Sequence, residues 1–167
     1  MTIDEIIGYV AAFDGVLTQR PGPGDGTPEI AWGDTFFHYA PDGEIPARTQ
    51  PFATIVTKDY PGDDRSRLDR PDTFRLNISA TAADFRTWTG RTPRDAHSGS
   101  EDPSAADTVL AHPVYGTAAW LAVVNPGPRT AQAVRGLLRA AYDRARARTE
   151  RTATRNVSSD MRRPPAS

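Results

Sequence analysis

The sequence contains no cysteine, and lysine occurs only once, at Lys58. Without cysteine the chain has no disulfide, no thiolate metal ligand and no cysteine nucleophile, and it fits a reducing compartment. Apolar residues make up only 38% of the chain, and no apolar run approaches the roughly 20 residues of a membrane-spanning helix. The first five residues include two acidic side chains and no basic one, unlike a targeting segment. We therefore predict a cytoplasmic protein that does not associate with membranes.

Charge is divided unevenly along the chain. Residues 1–143 hold 13 basic and 19 acidic side chains, a net charge of −6. Residues 144–167 hold 7 basic and 2 acidic side chains, a net charge of +5. Because affinity for duplex nucleic acid depends on a basic surface that neutralises phosphates, the acidic part disfavours nucleic acid as a partner. A nucleic-acid binder that works through the basic tail remains an alternative.

The length of 167 residues suffices for one hydrophobic core and is too short for two ordinary domains. Apolar residues recur at helical spacing after Thr130, and this spacing is lost near Arg148. A charged segment with little to bury cannot offset the entropy lost on ordering. We predict a single α+β domain over residues 1–148 and a disordered basic tail over residues 149–167.

Periodicity predicts the elements of this domain. Thr2 and Glu5 have the spacing of a capping box for a helix over residues 3–13. Alternating or β-rich runs predict strands, with turn-forming residues between them. These predicted strands lie at residues 29–32, 35–40, 52–58, 74–78 and 120–124. The expected architecture is an antiparallel sheet of about four strands, with the N- and C-terminal helices packed on one face.

The strand at 74–78 alternates strictly. Its odd-numbered members Arg75 and Asn77 lie on the face opposite its apolar side chains. We therefore predict that this strand is covered on one side only, with an uncovered polar face.

Several segments carry a resemblance to a known family: residues 29–34, 51–62, 74–78 and 112–116, followed by Trp120 and residues 125–127. Over residues 2–148 the chain resembles DUF6194, an actinobacterial family whose function is unknown. The resemblance implies no activity, because none is assigned to that family.

The order of elements also resembles that of the YjbR-like domains. Both have a first helix, a hairpin, a strand that runs into a helix, a strand with a tryptophan, here Trp120, and a final helix with a tyrosine, here Tyr142. The resemblance implies a frataxin-like α+β fold and DNA binding. The basic residues of those domains are replaced here by Asn77 and by residues 117–119, which argues against DNA binding and leaves the fold analogy.

A catalytic interpretation begins with His112, because histidine suits general acid–base chemistry near neutral pH. Asp34, Asp59 and Tyr115 are its possible partners, and Lys58 could stabilise a developing anion. The spacing does not show that these groups meet. The sequence favours a structural role for His112, as the cap of a short helix before the following proline. The sequence therefore leaves a small enzyme with a His/carboxylate site as an alternative.

The function that the sequence favours is a small binding or interaction domain whose ligand, a small molecule or a protein, is unknown. Candidate ligand-binding residues lie on half-polar strands beside long loops, where such sites are common. They are Trp32, Lys58, Arg75, Asn77 and Trp120. No metal site is predicted, since the three histidines are far apart in the sequence and no metal-binding motif occurs. No cofactor motif occurs either.

Overall fold

The computed structural model describes residues 1–45 and 49–160, and of residues 156–160 it describes the backbone alone. Three helices and six strands form the domain, with short 3-10 turns between them. In chain order these are α1 Ile3–Ala11, β1 Val16–Gln19, β2 Thr35–Tyr39, β3 Ala53–Val56, β4 Arg75–Ser79, α2 Ala82–Thr89, β5 Leu110–Ala111, β6 Trp120–Val124 and α3 Ala131–Asp160.

The strands form one sheet in the order β1-β2-β3-β4-β6-β5, and every neighbouring pair is antiparallel. This confirms the predicted α+β class and antiparallel sheet. The predicted count of about four strands is wrong, because the sheet has six. The two missed strands, β1 and β5, lie at the edges and have only four and two residues, too few for a clear alternation.

Helices α1 and α3 cover one face of the sheet, as predicted. Ile6 and Val10 of α1 and Leu138 of α3 are fully buried in one cluster with residues of the central strands. The predicted capping box at the start of α1 is present, because Glu5 donates its N–H to Thr2 Oγ1 over 3.1 Å and Thr2 donates its N–H to the Glu5 carboxylate over 2.9 Å. The hydrophobic core therefore lies between the sheet and these two helices.

The predicted strand at residues 29–32 is absent. Glu29–Ala31 forms a 3-10 turn instead, and Trp32 donates its N–H to the Glu29 carbonyl over 3.0 Å. The Lys58 ammonium group accounts for part of this difference, since it donates hydrogen bonds to the carbonyls of Ile30 and Trp32. A strand would need those carbonyls for its neighbour.

Helix α3 runs to Asp160, beyond the end of the predicted domain at residue 148. Ion pairs at i,i+4 spacing support it, including Arg146 with Glu150 at 2.8 Å. Side chains of residues 151–155 are exposed, so this part of the helix adds little to the core. Residues 161–167 of the predicted disordered tail lie outside the described residues. No helix of the described ranges has the length and apolar character to cross a membrane.

The prediction that β4 is covered on one side only is wrong. Arg75 and Asn77 are 1% and 4% exposed. Their face of the sheet is closed by the loop of residues 57–74, in which Leu68 packs against Val56 and Val124. The polar side chains of β4 are therefore inside the molecule.

Leu138 tests whether α3 closes the core. Replacing this fully buried side chain with alanine leaves a cavity, so we expect Leu138→Ala to lower the free energy of unfolding by about 2–5 kcal/mol. Urea unfolding measures the change. Gln132→Ala, at an exposed position of the same helix, is the control, and we expect a change within about 0.5 kcal/mol. Similar values for both variants would contradict this role of α3.

Candidate functional site

A cavity of about 470 Å³ lies on the face of the sheet opposite the helices. We call it the Arg75 cavity. Its polar lining residues are Gln50, Thr54, Asp63, Arg75, Asn77 and His112. The other lining side chains are mostly apolar or aromatic and include Phe36, Pro51, Val56, Tyr60, Tyr115 and Trp120. Apolar walls around a few convergent polar groups are typical of a small-molecule site.

Four of the five N–H groups of Arg75 donate hydrogen bonds to oxygen atoms, and the fifth faces His112. Its Nε donates to Asn77 Oδ1 over 2.8 Å, and its Nη1 donates to Asp63 Oδ1 and Ser66 Oγ, each over 2.9 Å. Its Nη2 donates to Asp63 Oδ2 over 2.5 Å and lies 3.1 Å from His112 Nε2. The two-point contact with Asp63 neutralises the buried guanidinium, which would otherwise be strongly destabilising.

Asp63 reaches Arg75 from a tight turn. Asp63 donates its N–H to the Tyr60 carbonyl over 2.9 Å, and Tyr60 donates its N–H back to the Asp63 carbonyl over 3.3 Å. Gly62 lies inside this turn with φ at +78°, a conformation that glycine adopts without strain. Hydrogen bonds to Arg75 and the positive charge of that residue lower the pKa of Asp63, against the opposing effect of burial. Asp63 therefore stays ionised.

His112 is buried and neutral. Its ring is 2% exposed, and Nδ1 accepts the backbone N–H groups of Val114 over 3.1 Å and of Tyr115 over 3.0 Å. Burial, followed by the charge of Arg75, lowers the pKa of His112 to about 3. His112 caps the turn that follows it, and the short helix predicted before Pro113 is replaced by β5.

Three N–H groups surround the two ring nitrogens of His112, because Arg75 Nη2 faces Nε2 while two backbone amides face Nδ1. A neutral imidazole has one lone pair and one N–H. In either tautomer, therefore, a ring N–H faces another N–H donor. The nearest acidic oxygen to Nε2, Asp63 Oδ2, is 3.9 Å away, which is too long for a hydrogen bond. This side of the cavity has an excess of hydrogen-bond donors.

Asn77 and Thr54 add to that excess. The amide of Asn77 donates to Thr54 Oγ1 over 3.0 Å and accepts from Arg75. An asparagine amide has two N–H groups and a threonine hydroxyl has one O–H. One Asn77 N–H and the Thr54 O–H thus have no partner among the described residues, and both side chains line the cavity.

Asp34 and Asp59, the predicted catalytic partners, accept hydrogen bonds from loop residues and not from His112. Asp34 is fully buried and accepts hydrogen bonds from the backbone N–H of Thr57 over 2.8 Å, from its hydroxyl over 2.9 Å, and from the Tyr60 hydroxyl. Burial and the bond to Asp34 raise the pKa of Tyr60. The Asp59 carboxylate accepts the N–H of a loop residue at position 68. In the described part of the chain, no hydrogen bond or ion pair joins His112 to either aspartate.

The predicted residues separate into two groups. Arg75, Asn77 and Trp120 of the ligand-binding set line the cavity together with His112 and Tyr115 of the catalytic set. Tyr115 is 57% exposed, and its ring lies against that of His112 with centroids 5.0 Å apart.

The two remaining ligand-binding candidates, Lys58 and Trp32, lie elsewhere. Lys58 Nζ donates to the Trp32 carbonyl over 2.5 Å and forms an ion pair with Asp34 at 3.6 Å. Trp32 donates its indole N–H to the Thr27 carbonyl over 3.3 Å. Neither lines the cavity.

Sequence reasoning missed Asp63 and Ser66. The sequence pattern of the acidic stretch at residues 59–64 predicts a solvated turn, whereas the structure places Asp63 against Arg75. An unpaired arginine on an otherwise alternating strand was the one signal that a buried acidic partner was needed.

Fold and site together define an antiparallel α+β domain with a cavity lined by a buried, neutralised polar cluster. The model of a family of unknown function, DUF6194, matches residues 1–154. The chain belongs to this family, which confirms the predicted resemblance. No curated protein and no solved structure matches the chain. The likeness to YjbR-like domains stays a prediction.

Removing Asp63 should leave the charge of Arg75 buried without its counter-ion. We expect Asp63→Ala to lower the free energy of unfolding by about 3–5 kcal/mol, measured by urea unfolding. Asp143→Ala is the matched control, because it removes the partner of Arg139 from a pair whose side chains are both more than half exposed, and we expect less than about 1 kcal/mol. Equal losses would show that the buried pair has no special role.

The low pKa of His112 has a consequence for stability in acid. The ordinary histidine pKa is 6.5, and that of folded His112 is about 3. Between these values the unfolded chain binds more protons than the folded chain, so the free energy of unfolding falls as the pH falls from 6.5 toward 3. Burial lowers the pKa of His38 as well, which adds to the same trend.

His112→Asn removes the titrating ring and keeps an oxygen that can accept the two backbone amides. We expect the free energy of unfolding of this variant to depend less steeply on pH between 6.5 and 4.5, by up to about 1.4 kcal/mol per pH unit. Urea titrations across that range measure the slope. Gln132→Ala, at an exposed position without a titrating group, should keep the wild-type slope, and an unchanged slope in His112→Asn would contradict the assignment.

Proposed function

We propose that this chain is a small-molecule-binding domain and that the Arg75 cavity is its site. The observation that carries the proposal is the excess of N–H and O–H donors around His112, Asn77 and Thr54. Buried donors without acceptors destabilise a folded protein, and an acceptor on a bound molecule would satisfy them. The volume of about 470 Å³ suits a small organic molecule.

The charge balance favours a neutral ligand. Asp63 neutralises Arg75 through two hydrogen bonds, and His112 is uncharged because its pKa is lowered to about 3. A carboxylate ligand would approach the ionised Asp63 without gaining a free cation. Like charges at short range in a partly buried site repel strongly.

The aromatic lining of the Arg75 cavity favours a ligand with a flat, apolar body. Phe36, Tyr60, Tyr115 and Trp120 line the cavity, and aromatic side chains stack well on flat apolar groups. The proposed ligand is therefore a neutral molecule with an apolar or aromatic body and a carbonyl-type acceptor that faces the donors.

The same geometry favours binding over acid–base catalysis. With a pKa of about 3, His112 is a weak base near neutral pH. Asp34 and Asp59 hold loop groups rather than the His112 ring. The absence of cysteine fits a reducing compartment, and we propose the cytoplasm as the location of the protein.

Three probes of similar shape test this proposal: acetophenone, which has an acceptor, ethylbenzene, which has none, and the anion benzoate. We expect acetophenone to bind most tightly and to shift the NMR signals of the Asn77 side-chain amide and the Trp120 indole. Thr54→Val replaces the Thr54 O–H by a methyl group that cannot donate, and it also frees the Asn77 N–H that Thr54 Oγ1 accepts. Because the ligand acceptor then meets the Asn77 amide alone instead of two different side chains, we expect the variant to weaken acetophenone binding by about 2- to 10-fold.

Thr18→Val is the control for the loss of a buried hydroxyl, because Thr18 Oγ1 is buried without a partner among the described residues and does not line the cavity. We expect it to bind acetophenone as the wild type does. Equal affinity for all three probes, tighter binding of benzoate, or equal losses in both variants would contradict the proposal.

A further inference from the structure

A second cavity, of about 560 Å³, lies between α3 and the ends of the central strands. We call it the α3 groove. Tyr39, Phe52 and Trp120 supply its aromatic surface, and Arg144 and Arg148 line it from α3. Trp120 also lines the Arg75 cavity, so the two cavities are neighbours that differ in charge.

Arg144 is held in a fixed position. Its Nη2 donates to the Ser79 carbonyl over 2.5 Å, and its Nη1 lies 3.7 Å from Asp84 Oδ2. Burial lowers the pKa of Arg144, Asp84 raises it, and the charge of Arg148 lowers it further. Two guanidinium groups are therefore close enough to repel each other along this groove.

Arg148 follows Arg144 by one helical turn and is exposed. Two other arginines of α3 have carboxylate partners, Arg139 with Asp143 and Arg146 with Glu150. In contrast, the guanidinium of Arg148 has no hydrogen bond or ion pair within the described part of the chain. Among the residues that the structure describes, no aspartate or glutamate lines the groove.

An arginine beside a cavity and without a carboxylate partner is unexpected on an acidic protein. Residues 1–143 carry a net charge of −6, and carboxylates are numerous enough to pair with most arginines. An unneutralised cation beside a half-apolar cavity supplies what an anion with an apolar tail needs: a charge-assisted contact for its head and apolar area for its body.

We propose that the α3 groove binds an amphipathic organic anion, a carboxylate or phosphate ester whose head contacts Arg148 beside Arg144 and whose apolar part lies against Phe52 and Trp120. This site is separate from the Arg75 cavity, where the arginine is already neutralised by Asp63. One site selects a neutral molecule and the other an anion, because only the groove keeps a cation free of its counter-ion.

Isothermal titration of the full chain tests the proposal with octanoate, octyl phosphate, 1-octanol and inorganic phosphate. We expect saturable binding of octanoate or octyl phosphate and weaker binding of both 1-octanol, which has no charge, and inorganic phosphate, which has no tail. Whichever of the two charged amphiphiles binds more tightly identifies the preferred head group, and either order supports the proposal.

Arg148→Glu reverses the charge in the groove, and we expect it to weaken binding of the charged amphiphile by at least about 10-fold. Arg151→Glu makes the same change of net charge at an exposed position that does not line the groove, and we expect affinity within about 2-fold of wild type. Thr54→Val, which alters only the neighbouring Arg75 cavity, should also leave this affinity unchanged.

Four results would overturn the proposal: no saturable binding of either charged amphiphile, equal binding of 1-octanol or of inorganic phosphate, equal losses in Arg148→Glu and Arg151→Glu, or a loss in Thr54→Val. The last result would place the amphiphile in the Arg75 cavity. Since Arg148 is exposed, its replacement should leave the melting temperature near that of the wild type, and this is measured alongside.

Discussion

The buried ion pair between Arg75 and Asp63 is the interaction that organises the face of the sheet opposite helices α1 and α3. A guanidinium that is 1% exposed is strongly destabilising unless its charge and its N–H groups have partners. The groups around Arg75 come from two loops and the sheet: Asp63 and Ser66 accept its hydrogen bonds from the loop after β3, Asn77 accepts from β4 itself, and the His112 ring lies against Nη2 from the segment after β5. Satisfying one arginine therefore fixes both loops over the sheet, and the Arg75 cavity is the space left between them.

The same ion pair gives the two cavities different charges. It leaves the Arg75 cavity with no net charge and with an excess of hydrogen-bond donors. The α3 groove lies a short way along the sheet, beyond Trp120, and there Arg148 has no counter-ion within the described ranges. The two cavities thus differ in charge although they share part of a wall. A small core buried between the sheet and helices α1 and α3 supports both.

Prediction from sequence succeeded where one local pattern decided the structure. The capping box at Thr2, the alternation from Phe74 to Ile78 and the helical spacing after Thr130 each depend on a few neighbouring residues, and each gave the correct element. The sequence prediction missed the edge strands β1 and β5, placed a strand at residues 29–32 where the structure has a 3-10 turn, and ended the last helix before the end that α3 has in the structure. In those places the outcome depended on distant partners, such as the Lys58 ammonium that takes the carbonyls of residues 30 and 32.

The amino-acid sequence alone determined the α+β class, the antiparallel sheet and the helix at each end, because periodicity and composition are properties of the chain itself. The family was identified from the resemblance of particular segments. The sequence also identified Arg75, Asn77, His112, Tyr115 and Trp120 as candidates. Only the tertiary structure decided which of these candidates meet and what charge each site carries. Alternation along a strand predicts which side chains share a face of the sheet. Whether that face is exposed to water or covered by a loop depends on residues far away in the sequence. An arginine beneath a loop requires a counter-ion, whereas one in water does not.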